Sequence, residues 1–116
     1  MLEPVICPQS DENESVMRFQ SGVTCIIVCF NASNSLQKIV NLMLKQVDYI
    51  IIVDNNSNLP TKKMLSELKS LHLGRVSVIF NEENFCFGKG MNIGIKMAIS
   101  NGAKYILQLN DDSYLS

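Results

Sequence analysis

Tyr49-Ile50-Ile51-Ile52-Val53-Asp54-Asn55-Asn56-Ser57 and Tyr105-Ile106-Leu107-Gln108-Leu109-Asn110-Asp111-Asp112-Ser113 share one grammar. Each is an apolar run that ends in carboxylates, amides and a serine. Such runs, rich in β-branched residues and closed by turn residues, read as strands buried on both faces. Two more fit the pattern: Val23-Thr24-Cys25-Ile26-Ile27-Val28-Cys29-Phe30 and Val76-Ser77-Val78-Ile79-Phe80.

Between the strands the period changes from two to 3.6. Leu36, Ile39, Val40, Met43, Leu44 and Val47 recur at helical spacing after Asn31-Ala32-Ser33-Asn34-Ser35, where Ser33, Asn34 or Ser35 can cap. Pro60 suits a first helical turn, with Met64, Leu65, Leu68 and Leu71 on one face and Gly74 as the stop. A third helix follows the loop Asn81–Gly90, with Met91, Ile95, Ala98 and Ile99 inward and Gly102 at its end. The order βαβαβαβ implies parallel pairing with right-handed crossovers. The expected fold is α/β: a three-layer Rossmann-like sandwich with a mostly parallel sheet, or half of a larger one. Residues 1–22, with Pro4, Pro8 and a polar run from Gln9 to Ser15, read as a flexible leader to a domain at 23–116.

Composition narrows the function classes. The chain has 116 residues, 47% of them apolar, and a net charge of −1, so it suits one globular domain. Its ten basic residues are scattered, which excludes a nucleic-acid footprint. No stretch is apolar enough to span a bilayer, and the acidic N-terminal region is no export signal. The expected compartment is therefore the cytoplasm, and the four cysteines read as free thiols. Cys25 and Cys29 lie four apart on a strand, roughly 13 Å between Cα atoms, too far for a disulfide.

Each strand ends in polar residues at what should be one edge of the sheet: Asn31, Asp54–Ser57, Asn81–Asn84 and Asn110–Ser113. In open α/β sheets ligands bind outside the carboxyl ends of the strands. A single such end is ordinary turn chemistry. The side-by-side carboxylates Asp111 and Asp112 repel each other unless a cation lies near, which points to a divalent ion held against a phosphate. Gly88-Lys89-Gly90, before the third helix, can bring backbone N–H groups near a phosphate, or can be a flexible loop; it is not a P-loop.

Four segments in this order resemble the N-terminal nucleotide-sugar-binding part of family 2 glycosyltransferases, which have the GT-A fold, and among them the rhamnosyltransferase-like members. They are Val28-Cys29-Phe30-Asn31, Ile52–Ser57, Asn84–Gly94 and Leu109-Asn110-Asp111-Asp112-Ser113, and the resemblance runs from about Val23 to Ser116. It implies that a UDP- or dTDP-type nucleotide-sugar is the donor and a glycan or lipid-linked molecule the acceptor. Asp54 would hydrogen-bond the pyrimidine base, in a pocket lined by the backbone around Val28, Phe30 and Asn31, and Asn56 would also belong to the donor-binding residues. Gly88, Lys89 and Asn92 would lie against the nucleotide. Asn110-Asp111-Asp112 would be the Asp-x-Asp-type motif of the donor site, with Asn110 in its first position and Asp112 holding the Mg2+ or Mn2+ that bridges the donor diphosphate. The resemblance also implies an inverting reaction and a place in cell-envelope polysaccharide synthesis, in the cytoplasm or at the inner face of the membrane.

Two departures stand out. Cys86 and Met91 occupy positions where the family usually has Gly and often has Asn. A side chain at 86 would strain the backbone if the glycine conformation is required. The chain stops just after the acidic pair, so the acceptor half and the general base are expected outside it. The uncovered sheet of such a truncated domain favours self-association.

Two other classes compete. A nucleotidyltransferase would show a basic, glycine-rich loop after its first strand, where this chain has Asn31–Ser35. A doubly wound interaction module of the receiver type would put an acidic pair there, where this chain has Asn31.

Overall fold

The structure, a computed structural model, describes residues 22–110. The leader expected at 1–22 lies outside the described residues apart from Gly22, and so do Cys7, Asp111 and Asp112. Seven elements alternate: β1 (Val23–Cys29), α1 (Ser35–Met43), β2 (Tyr49–Asp54), α2 (Leu59–Leu71), β3 (Val76–Phe80), α3 (Cys86–Ser100) and β4 (Tyr105–Asn110). All pairings are parallel, in the order β3-β2-β1-β4. The α/β sandwich read from the sequence is therefore the fold observed.

Two helices cover one face of the sheet and one covers the other. Cys25, Ile27, Cys29, Ile50 and Ile52 pack with Leu36, Val40 and Met43 of α1 and Met64, Leu65 and Leu68 of α2. Ile26, Val28, Ile51 and Val53 pack with Met91 and Ala98 of α3. Alternate residues of β1 and β2 thus feed opposite cores, which is why both strands read as unbroken apolar runs. Burying each isoleucine contributes about 1.5–3 kcal/mol, more than any strand propensity at these positions.

A knot of side chains ties the amino ends together. The guanidinium of Arg75 donates to the carbonyls of Leu44 (2.8 Å), Val47 (2.7 Å) and Asp48 (3.2 Å), satisfying groups the end of α1 leaves open. Asp48 Oδ2 accepts from the Gly22 amide at 2.8 Å.

Several expectations need correction. Phe30 lies beyond β1 and is 49% exposed. Asn34 occupies the N-cap of α1 with helical dihedrals and no side-chain cap; Ser33 Oγ instead accepts from Ser35 N–H at 3.3 Å. Leu71 and Ile99, expected inward, are 67% and 63% exposed, although Leu68 and Ala98 in the same last turns are buried. Cys25, Cys29 and Cys86 are free thiols, as expected. Burial pushes the Cys25 thiol up to about 12. Among the described residues, no helix is long and apolar enough to cross a membrane.

Candidate functional site

Strand order places the site. The chain steps from β1 outward to β2 and β3, then returns to put β4 on the other side of β1. That reversal is a topological switch point, and the crevice outside it is where doubly wound sheets take ligands. Phe30 and Asn31 leave β1 there. Asn110 pairs with Val28, so β4 ends at the same level.

The two residues at the end of β2 point to opposite faces and build two separate brackets. Asp54 is fully buried on the α1–α2 face. Its carboxylate accepts from the Ser57 amide (3.1 Å) and from the Ser57 hydroxyl. Ser57 Oγ in turn accepts from the Asn31 amide at 2.7 Å, and Asn31 Oδ1 accepts from the Asn58 amide at 2.7 Å. This relay locks the end of β1 to the turn after β2 and explains the left-handed backbone of Asn31 (φ 54°). Asn58 then caps α2 by accepting from Thr61 N–H at 3.1 Å.

Asn55 faces α3. Its Oδ1 accepts from Asn81 Nδ2 at 2.9 Å, and its Nδ2 donates to the Cys86 carbonyl at 3.1 Å. Sequence reading passed over Asn55 in favour of its neighbours. The signal that could have found it is its place directly after a buried strand residue, on the opposite face.

Gly88-Lys89-Gly90 is not a loop. It lies in the first turns of α3, which begins at Cys86. Gly90 and Gly94 face the sheet, where an added Cβ would come within 3.1 Å of Val28 Cγ1 and 2.6 Å of Ile26 Cγ2, respectively. These glycines let the helix approach the strands. Gly88 has open space around it. The ammonium of Lys89 sits 4.1 Å from the centre of the Phe85 ring, at cation–π distance. Asn92 is exposed on the outer face of the helix. Asn56 is an exposed turn residue with φ 67°, and its Oδ1 accepts from Lys62 Nζ at 3.0 Å. The structure thus brings Phe30, Asn31 and Asp54 together around the β1 and β2 ends and sets Gly88 and Lys89 at the start of α3. It leaves Asn56 and Asn92 on the surface.

Cys86 has φ 70°, the left-handed conformation that the sequence reading made conditional on a glycine-like backbone. Asn84 Oδ1 accepts from its amide at 2.8 Å and helps hold it there. Such a conformation costs a non-glycine residue about 1–2 kcal/mol. Cys86→Gly is therefore expected to raise stability by about 1 kcal/mol; a urea unfolding curve checks it, and an unchanged midpoint would mean the strain is absent.

Among the described residues no group of three or more His, Cys, Asp or Glu side chains gathers as a cation site. The expected metal ligand, Asp112, lies outside them. A hollow of about 450 Å3 lined by Gly22, Thr24, Asp48, Tyr49, Asn101, Gly102 and Ala103 opens at the amino edge, away from these strand ends.

Residues 24–116 match the model of Glycosyl transferase family 2. A dTDP-rhamnosyl transferase, RfbF of Shigella flexneri, is 29% identical over 94 residues, which cover 80% of this chain and 30% of that relative. The chain therefore spans about a third of the length of the curated relative it matches.

Proposed function

Because the chain belongs to glycosyl transferase family 2, we propose that it forms the donor-nucleotide part of an enzyme that moves a sugar from a dTDP- or UDP-linked donor to a glycan or lipid-linked acceptor. The observation that carries this reading is the convergence of the β1, β2 and β4 ends at the switch point of a parallel sheet. The similarity to a dTDP-rhamnosyl transferase favours dTDP over UDP and a deoxyhexose as the sugar.

The residues divide the work. Phe30 and Asn31 border the base and ribose. Asp54 acts through Ser57 and Asn31, fixing their backbone rather than reaching the ligand. Gly88 and Lys89, at the start of α3, offer amide and ammonium donors to the diphosphate. Asn110, Asp111 and Asp112 hold the end of the diphosphate where Mg2+ or Mn2+ binds. When bound, the metal stabilises the charge that develops on the leaving nucleotide. The reaction is inverting, with its general base and acceptor site contributed from outside this chain. The full protein works in cell-envelope polysaccharide synthesis, in the cytoplasm or at the inner membrane face, whereas the isolated donor part self-associates through its open sheet edges.

Calorimetric titration with dTDP and UDP, with and without Mn2+, tests the reading. Binding that strengthens at least tenfold with Mn2+ and loses that gain in Asp112→Ala is the expected result. Metal-independent binding would overturn the metal role, and no binding to either nucleotide would overturn the donor site.

A further inference from the structure

We propose that Asn55 is a positioning residue of this site: its side chain holds the β3–α3 loop and the start of α3 against the end of β2, and so sets nucleotide affinity without touching the nucleotide. The inference rests on the donor-site reading above.

The geometry is specific. Asn55 is only 2% exposed. Its two amide ends reach the two ends of one segment, Asn81 at the exit of β3 and Cys86 at the start of α3. Its own backbone N–H donates to the Cys29 carbonyl at 2.9 Å, which anchors the bracket to β1. A Cβ at Gly90 would lie 3.2 Å from Asn55 Nδ2, so the glycine makes room for the amide.

Asparagine is the residue this bracket needs. One arm must accept and the other donate, at short reach. Aspartate would set an acceptor against the Cys86 carbonyl, and serine has a single group. Between the anchored ends, Glu82, Glu83 and Asn84 are exposed and bury no apolar surface. Of the residues between those ends only Phe85 is half-buried, so the position of the loop rests mainly on hydrogen bonds: the two made by the Asn55 side chain and that of the Asn81 N–H to the Asp54 carbonyl at 2.9 Å. The Asn55 side chain also holds the Cys86 carbonyl, and with it the direction in which the first amides of α3 point.

The test combines hydrogen exchange and dTDP calorimetry on the full 116-residue chain. Asn55→Ala removes the bracket. Asn81→Ala removes one bond from the half-exposed loop side and is the milder variant should the first fold poorly. Tyr49→Phe, which loses the Tyr49–Ser77 hydroxyl contact across β2 and β3, is the control for a purely structural loss. In both asparagine variants, amides of residues 82–88 are expected to exchange at least tenfold faster. Affinity is expected to fall about tenfold, as when the competent conformer drops to a tenth of its population. The control shows neither effect at the loop.

Unchanged exchange at 82–88 overturns the proposal, whatever the nucleotide does. Faster exchange with unchanged affinity overturns the link to binding. If the unmodified chain binds no nucleotide, the donor-site reading fails, and the exchange data alone decide whether Asn55 holds the loop.

Discussion

Gly94→Val is expected to destabilise the fold by about 3 kcal/mol, near the upper end of what overpacking a core costs. A Cβ at this position already sits 2.6 Å from Ile26 Cγ2 and 3.1 Å from Val53 Cγ2, and valine adds two methyl groups beyond it. Ile26 and Val53 cannot yield, because both lie fully buried in the two central strands. The gain in helix propensity on leaving glycine is under about 1 kcal/mol and does not offset the clash. For a domain of this size the melting temperature should fall on the order of 10 °C. Thermal and urea unfolding check this; an unchanged midpoint would show that α3 can lift from the sheet at no cost. Gly88→Ala, with open space around the new methyl, is the internal control and should be neutral or mildly stabilising.

Asp54→Ala should cost a comparable amount by a different route. It leaves the amide and hydroxyl of Ser57 without their acceptor in a site closed to water. The two stranded Ser57 donors, the Cys29 thiol that loses its weak 3.7 Å contact, and the small cavity together cost about 3 kcal/mol. Asp54→Asn keeps the shape but turns one arm into a donor facing a donor, and should recover only part of the loss. Under the donor-site reading, nucleotide affinity falls with it, because Asn31 takes its backbone position from Ser57. Urea unfolding alongside dTDP titration reads both effects. Full stability in Asp54→Ala would mean the relay holds nothing together.

Most of the architecture was legible because the strands announce themselves. Tyr49–Asp54 and Val76–Phe80 have the bounds their β-branched runs suggested. What misled was glycine. Gly88 and Gly90 read as loop punctuation, whereas a helix that must pack closely on a sheet also selects glycine. The spacing Gly90, Gly94, Ala98, one small residue per helical turn, carried that information. The polar edge misled differently. Asp54 drew attention as the charged residue, yet its carboxylate is enclosed by Ser57. Its uncharged neighbour Asn55 spans the crevice wall, because side chains alternate across a strand. The ends of α2 and α3 show a third limit: a position can fit the helical spacing at the margin of the apolar stripe and still face water, as Leu71 and Ile99 do beside the buried Leu68 and Ala98.

The sheet order also sets a timetable. β1, β2 and β3 can add to one another in the order in which they leave the ribosome, each beside the strand before it. β4 cannot join that growing edge. It must come back to the first strand made, with Val23 pairing Tyr105 across nearly the whole described length. Closing so long a separation is the slow kind of step in folding. Until it happens, one side of β1 stays open, an invitation to chaperones and to other nascent chains. The crevice between the β1 and β4 ends is therefore the last part of this four-stranded sheet to form, and until β4 has left the ribosome and docked there is no finished place in which to hold a nucleotide.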